Sequence, residues 1–136
     1  MKFSTRSRYG VRAMYELAIN NSTGPMPLKS IAKNQSLSEH YLEQLMSSLR
    51  KGGLVNSIRG AQGGYILAKT PENINIGDII RILEGPIAPV NCVSEDGNND
   101  CDNIDNCATR CLWKNIQEKV VEVLDSTTLA SLVNKE

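Results

Sequence analysis

The chain is 136 residues long, 40% hydrophobic and 22% charged. That length admits one domain or two very small ones, excludes a large multidomain enzyme, and carries enough apolar residues for a core. The formal net charge is zero, yet residues 1–70 hold ten Lys and Arg against Glu16, Glu39 and Glu43, while the remaining 66 residues carry five basic and twelve acidic side chains.

A chain polarised in this way can present one face to a polyanion while staying soluble, which makes nucleic acid the leading partner. Aromatic residues make up only 4% of the chain, with one Trp and one Phe, so the core is expected to be Leu, Ile, Val and Ala on helices. The opening MKFSTRSRYGVRAMYELAIN alternates basic and apolar residues without the apolar run of a secretory signal. No later stretch approaches the ~18 apolar residues of a membrane span. A cytoplasmic protein without membrane contact is expected.

In residues 4–20 the apolar positions Tyr9, Ala13, Met14, Leu17 and Ala18 recur at helical spacing, with Gly10 the one weak point. NNSTGPMP is a loop. Leu28, Ile31 and Ala32 predict a short helix to about Asn34, and Ser36-Leu37-Ser38 a turn in which Ser38 is the N-cap of the next helix. There Leu42, Leu45, Met46 and Leu49 stand at i, i+3, i+4 and i+7, and Gly52-Gly53 ends the helix. His40, Tyr41, Glu43, Gln44, Ser47 and Ser48 lie off that stripe, able to exchange hydrogen bonds, with Arg50 and Lys51 at the end. Two helices joined by a tight turn, the second presenting such a face, form a helix-turn-helix. LVNSI and YILAK read as strands around Arg59-Gly60-Ala61-Gln62-Gly63-Gly64. A hairpin with a basic, glycine-rich tip beside a helix-turn-helix is a wing, and an arginine there suits a narrow minor groove.

After Lys69 the composition changes. Thr70-Pro71-Glu72 marks a turn, and Ile76, Ile79, Ile80 and Leu83 form a helical stripe closed by Gly85-Pro86. Residues 89–107 are rich in Asn and Asp and lack periodicity, so they read as a loop in which Glu95, Asp96, Asp100, Asp102 and Asp105 are solvating residues rather than acid-base catalysts. The single histidine, His40, falls on the helix-turn-helix face, and no catalytic constellation appears. An enzyme is not expected. Trp113, Ile116, Val120 and Val123 define an amphipathic helix to about Leu124, and Ser126-Thr127 stand where they could cap a last turn through Leu129 and Leu132.

Cys92, Cys101, Cys107 and Cys111 are separated by eight, five and three residues. Without an export signal they point to a metal or redox role rather than structural disulfides. The absence of a CxxC knuckle weighs against structural zinc. Soft thiolates on a pliable polar loop suit an iron-sulfur cluster, with zinc, free thiols and a redox disulfide as the competing readings.

STRSRYGVRAMYELA, LSEHYLEQLMSSLRKGGLVNSIRGAQGGYILAK, GDIIRILEGPIAPV and DSTTLASLV resemble, over essentially the whole chain, the Rrf-type family of bacterial winged-helix regulators. The most specific parts are YLEQL followed by LVNSIRGAQGGY. The resemblance implies a mainly α fold: a winged helix-turn-helix domain with a two-stranded wing over residues 1–85, a cysteine-containing cluster-binding loop over 86–111, and a dimerisation helix with a C-terminal segment over 112–136. The long C-terminal helix itself would run over about 112–124. It implies a homodimer on a double-stranded DNA operator. The recognition helix would span residues 38–50, with Ser38, His40, Tyr41, Glu43 and Gln44 nearest the bases, Arg50 at its end, and Arg59 with Gly60 on the wing at the minor groove.

Cys92, Cys101 and Cys107 match the cluster ligands of the family, with a 2Fe-2S cluster favoured and 4Fe-4S the alternative. Where cluster-binding members have a histidine after the third cysteine, this chain has Arg110, which cannot ligate. Cys111 is then the fourth ligand, one helical turn after Cys107 if the helix begins there. Nitric oxide sensors borrow an acidic residue near the partner's N-terminus, a neighbourhood in which this chain has Arg8. The implied function is a transcription regulator, a repressor among its roles, that senses an iron-sulfur cluster and controls iron-sulfur assembly genes. Beside it stand a repressor of cysteine metabolism genes, whose family branch the wording SIRGAQGGY, DIIRILEGPIAPV and LDSTTL resembles most, a nitric oxide or redox sensor, and, outside regulation, a small iron-sulfur electron carrier.

Overall fold

The computed structural model describes residues 2–97 and 107–134. Its elements follow the order α1 (Thr5–Ile19), α2 (Leu28–Gln35), α3 (Glu39–Lys51), β1 (Val55–Ile58), β2 (Gly64–Leu67), α4 (Ile76–Glu84), α5 (Arg110–Ser126) and α6 (Leu129–Val133). The expected helix-turn-helix and two-stranded wing are present in an otherwise helical chain.

The predicted stripes are the core. Met14 of α1, Ile31 of α2, Leu42, Leu45, Met46 and Leu49 of α3, and Ile79 of α4 are fully buried, each stabilising the fold by roughly 1.5–3 kcal/mol relative to exposure. Gly10, the weak point of α1, is where α4 packs: a Cβ there would lie 2.1 Å from Leu83 Cδ1.

The turn between α2 and α3 carries the one non-glycine residue with positive φ among those described, Ser36 at 55°. Its left-handed backbone closes α2 and turns the chain into α3. That junction is fastened to α1, because Arg12 Nε donates to Gln35 Oε1 at 2.8 Å and Gln35 Nε2 donates to Glu16 at 2.6 Å. The strands pair antiparallel in the register Val55↔Leu67 to Ile58↔Gly64. A bridge between Met26 and Tyr65 joins the wing to the body through two backbone bonds of 3.0 and 2.9 Å.

The C-terminal part departs from the sequence pattern in three ways. Helix α5 runs beyond 112–124 by two residues at each end. The last turn is capped not by Ser126-Thr127 but by Thr128, whose hydroxyl accepts from the Ser131 N–H at 3.1 Å while Ser131 Oγ accepts from the Thr128 N–H at 3.2 Å. Thr127 instead turns its hydroxyl back to α5, donating to the Val123 carbonyl at 2.7 Å. Finally, α6 returns to the core: Leu129 is fully buried, and its N–H donates to the Ile74 carbonyl at 3.0 Å.

Candidate nucleic-acid interface

Ser38 opens α3 from an extended backbone, and its Oγ accepts from the Tyr41 N–H at 3.1 Å. Its oxygen is thus occupied in capping, as expected for an N-cap. With the Leu/Met stripe turned inward, His40, Glu43 and Gln44 are exposed. Together with Ser47 they line a shallow cleft of about 360 Å³, and Gln44 Nε2 lies 3.4 Å from His40 Nε2. Arg50 and Lys51 are exposed in the last turn, where the partial negative charge of the helix end favours cations.

Two expected surface residues are drawn inward. Tyr41 is half-buried, its ring edge-on to Tyr9 with centroids 6.0 Å apart and an interplanar angle of 84°. Tyr9 in turn carries the guanidinium carbons of Arg8 and Arg12 at 6.0 and 5.1 Å from its centroid. Ser48 is a tether: its Oγ accepts from Arg6 Nη2 at 2.6 Å, and Arg6 Nε donates to the Leu83 carbonyl at 2.9 Å. One α1 arginine therefore joins α3 to α4.

On the wing, Arg59 and Gly60 are exposed. Gly60 has φ +112°, and a Cβ there would meet nothing within 4 Å, so the tip is open to a large partner. Among the described residues Arg50, Lys51 and Arg59 form no ion pair, which leaves their charge for phosphates.

Cys92 is half-buried in a short 3-10 turn (Asn91–Val93) whose Val93 is buried, Cys107 is half-buried just before α5, and Cys111 is exposed in the first turn of α5. Helix α5 starts at Arg110, so Cys107 is not on it, and the one-turn spacing proposed for Cys111 does not apply. Cys101 lies outside the described residues. The described cysteines are free thiols, the right donors for a cluster, yet among the described residues no three His, Cys, Asp or Glu side chains converge on a metal position. The Thr109 hydroxyl, 3.2 Å from Cys107 Sγ, holds that thiol below the ordinary thiol range, favouring the thiolate that ligates and reacts.

Glu95 is not a solvating residue. Its carboxylate accepts from Arg81 Nη2 at 2.7 Å and Nε at 3.0 Å, and from the Ile87 N–H at 2.9 Å. The Arg81 hydrogen bond is the main reason that its carboxyl lies below the usual carboxylate range. The same guanidinium holds Asp125 at the end of α5, with Nη1 at 2.7 Å and Nη2 at 3.0 Å. The sequence carried a signal for this, since Arg81 is the only cation between Lys69 and Arg110 in an acidic stretch.

Helix α5 has 17 residues and none is buried; Leu112 is 52% and Val123 62% exposed. Beside it an apolar cleft of about 380 Å³ is walled by Phe3, Val11, Ile80 and Leu124, with Arg8 and Arg12 among its lining. No helix of the described residues is long and apolar enough to cross a membrane.

The sequence pattern of the Rrf2 family, described as iron-dependent transcriptional regulators, matches residues 3–135. The HTH-type transcriptional regulator CymR of Bacillus subtilis (strain 168) is 53% identical over 134 residues, covering 98% of this chain and 91% of that regulator. The HTH-type transcriptional regulator IscR of Klebsiella pneumoniae (strain 342) is 40% identical over 136 residues, covering 100% of this chain and 82% of its own length. The solved structure of CymR (YrzC), named as the global cysteine regulator of B. subtilis, aligns with a TM-score of 0.85 at 54% identity, covering 100% of this chain and 98% of that one. These relatives are named as transcriptional regulators, not as enzymes.

Proposed function

The chain belongs to the Rrf2 family of transcriptional regulators, and from that membership we propose that it binds a double-stranded operator as a homodimer whose cysteine segment carries the signal. The observation that carries this reading is the exposed polar face of α3 standing with the unpaired cation of the wing. His40, Glu43 and Gln44 face the major-groove base edges, Ser38 and Tyr41 reach the neighbouring backbone by hydroxyl donation, Arg50 neutralises phosphate, and Arg59 with Gly60 enters the minor groove.

Residues 1–85 form the DNA-binding part, 86–111 the cysteine segment, and 112–136 the dimerisation helix with a C-terminal return. The dimer is supported by α5, a 17-residue helix about 25 Å long whose apolar side no described residue fully covers. A second copy placed along it buries Leu112 and Val123 and sets two recognition helices at a fixed spacing, which calls for a roughly palindromic site. A protein that acts on the chromosome works in the cytoplasm.

The finer reading is an iron-sulfur cluster, 2Fe-2S favoured over 4Fe-4S, held by Cys92, Cys101, Cys107 and Cys111 and controlling iron-sulfur assembly genes. The thiol donor set and the lowered Cys107 thiol support it. When bound, such a cluster would supply sensitivity to oxygen and to the iron and sulfur supply. A second reading, control of cysteine metabolism genes, is favoured by the 53% identity to CymR. Anaerobic purification with a visible absorption spectrum and iron and sulfide assays tests the cluster. Serine at Cys92, Cys101 or Cys107 should bleach the protein, and one tightly held zinc per chain would overturn the cluster reading. Titration of iron-sulfur assembly and cysteine metabolism promoter fragments with the same preparation separates the two regulons.

A further inference from the structure

Arg81 stands where three segments meet. On its own helix it lies 3.4 Å from Asp78. Across the helix it holds Glu95, three residues after Cys92, and Asp125 at the end of α5. Gly77 makes room for this junction, because a Cβ there would lie 2.0 Å from Asp125 Oδ1 and 2.9 Å from Arg81 Nη1.

Glu95 also takes the Ile87 N–H, so residues 87–95 form a closed loop with Cys92 inside it. Gln117 Nε2 donates to the Ile87 carbonyl at 3.3 Å and fastens that loop to the middle of α5. Two residues on, in the same last turn of α4, the Leu83 carbonyl accepts from Arg6, which also holds Ser48 of α3. Helix α4 has only nine residues, and Ile76, Ile79, Ile80 and Leu83 are all buried, so it moves as a unit. A forked guanidinium shared by two carboxylates outweighs an isolated surface pair.

We propose that Arg81 is a positioning residue for operator recognition: through Glu95 and Asp125 it holds the Cys92 loop and the end of α5 against α4, and α4 passes that placement to α3 through Arg6 and Ser48. The proposal rests on the operator-binding dimer above and on no particular chemistry at the cysteines. Any event that shifts the Cys92 loop then reaches the recognition helix along this route.

The test uses the full chain and a duplex carrying its own upstream region. Arg81→Gln should speed alkylation of Cys92 by iodoacetamide, read by peptide mass spectrometry, and speed amide exchange in α3. It should also weaken operator affinity about 5-fold or more, the lower end of ordinary site-to-site coupling, with the dimer intact by sedimentation. Arg81→Lys, which keeps the charge without the fork, should fall between. Glu95→Gln and Asp125→Asn should each reproduce part of the effect and add little on top of Arg81→Gln. If Arg81→Gln fails to fold, those two variants carry the same readouts.

The slope of affinity against salt should not change, whereas a slope shallower by about one would mean that Arg81 touches phosphate directly and would overturn the positioning role. Faster Cys92 alkylation with unchanged operator affinity and α3 exchange would make the junction purely local and overturn the proposal. Wild-type protein that binds no duplex would defeat the operator reading instead, and α3 exchange would still decide the Arg81 route.

Discussion

Gly64 lies where the wing packs against the body, and substituting alanine there separates the wing's attachment from its chemistry. Its φ is +153°, and a Cβ would meet Met26 O at 2.3 Å, Met26 C at 2.4 Å and Pro27 N at 2.7 Å. All three are backbone atoms, so no rotamer change relieves them. Strain at such a backbone costs about 1–3 kcal/mol. Moving the strand away gives up the two Met26–Tyr65 bonds, at about 0.5–1.5 kcal/mol each. The loss for Gly64→Ala is then about 2–6 kcal/mol, a large part of the ~5–15 kcal/mol that holds a domain together. Gly60→Ala is the control, since Gly60 also has a positive φ of +112° but no atom within 4 Å of a Cβ, leaving strain alone. Urea unfolding should place Gly64→Ala below Gly60→Ala by about 1–3 kcal/mol with similar denaturant slopes. Duplex affinity should fall in Gly64→Ala because Arg59 is no longer aimed. Equal stability of the two variants would refute the steric argument at Gly64.

Arg59→Ala should weaken duplex binding and make the salt slope shallower by about one, leaving the dimer intact; unchanged affinity in filter binding would remove the wing from the interface. Glu43→Ala should relax sequence choice more than it lowers affinity, because a carboxylate accepts from a cytosine amino group and repels phosphate. Competition between the operator and a scrambled duplex measures this. On acidification, Glu95 and Glu84 both have carboxyls held below their ordinary value. Their contribution is therefore complete above about pH 4.5 and is lost as pH falls through their folded values. Thermal unfolding from pH 6 to 3 should fall less steeply for Glu95→Gln than for wild type, and parallel curves would dismiss the Glu95 pairing as a source of stability.

The stripes that build the body were legible because helical periodicity is a local signal. Leu42, Leu45, Met46 and Leu49 lie where i, i+3, i+4 and i+7 put them, and the Ser38 cap and Gly-rich wing follow from neighbours in sequence. What the pattern could not supply was the choice among distant partners. Ser48 looks like any polar residue beside an apolar stripe, yet Arg6, 42 positions earlier, takes its hydroxyl. Tyr41 looks like a base-reading side chain, yet Tyr9 holds its ring. Leu129 lies in a five-residue helix too short to show a period, and its burial and its bond to Ile74 are what show the chain coming back into the core. Glu95 stands in an acidic stretch of sequence and is singled out by Arg81, a cation on α4.

The start of α5 was missed for a different reason, one that bears on what the cysteines do. Thr109 is the residue a helix beginning at Arg110 should use as its cap, and its removal from that duty ordinarily costs a helix about 1 kcal/mol. Here Thr109 makes no side-chain cap: its backbone is helical, φ −96° and ψ −6°, rather than extended, and its hydroxyl lies 3.2 Å from Cys107 Sγ. Local preference and observed structure therefore part at a thiol, which is where departures from sequence rules tend to mark function. The helix begins late enough to leave Cys107 off its surface, and the hydroxyl that would have strengthened the helix stabilises a thiolate instead. Cys111, one residue into the helix, is carried by α5 itself, whereas Cys92 is carried by the loop that Arg81 ties to α4. Any chemistry that joins these thiols must therefore act between the helix that presents the exposed apolar face and the helix that touches α3.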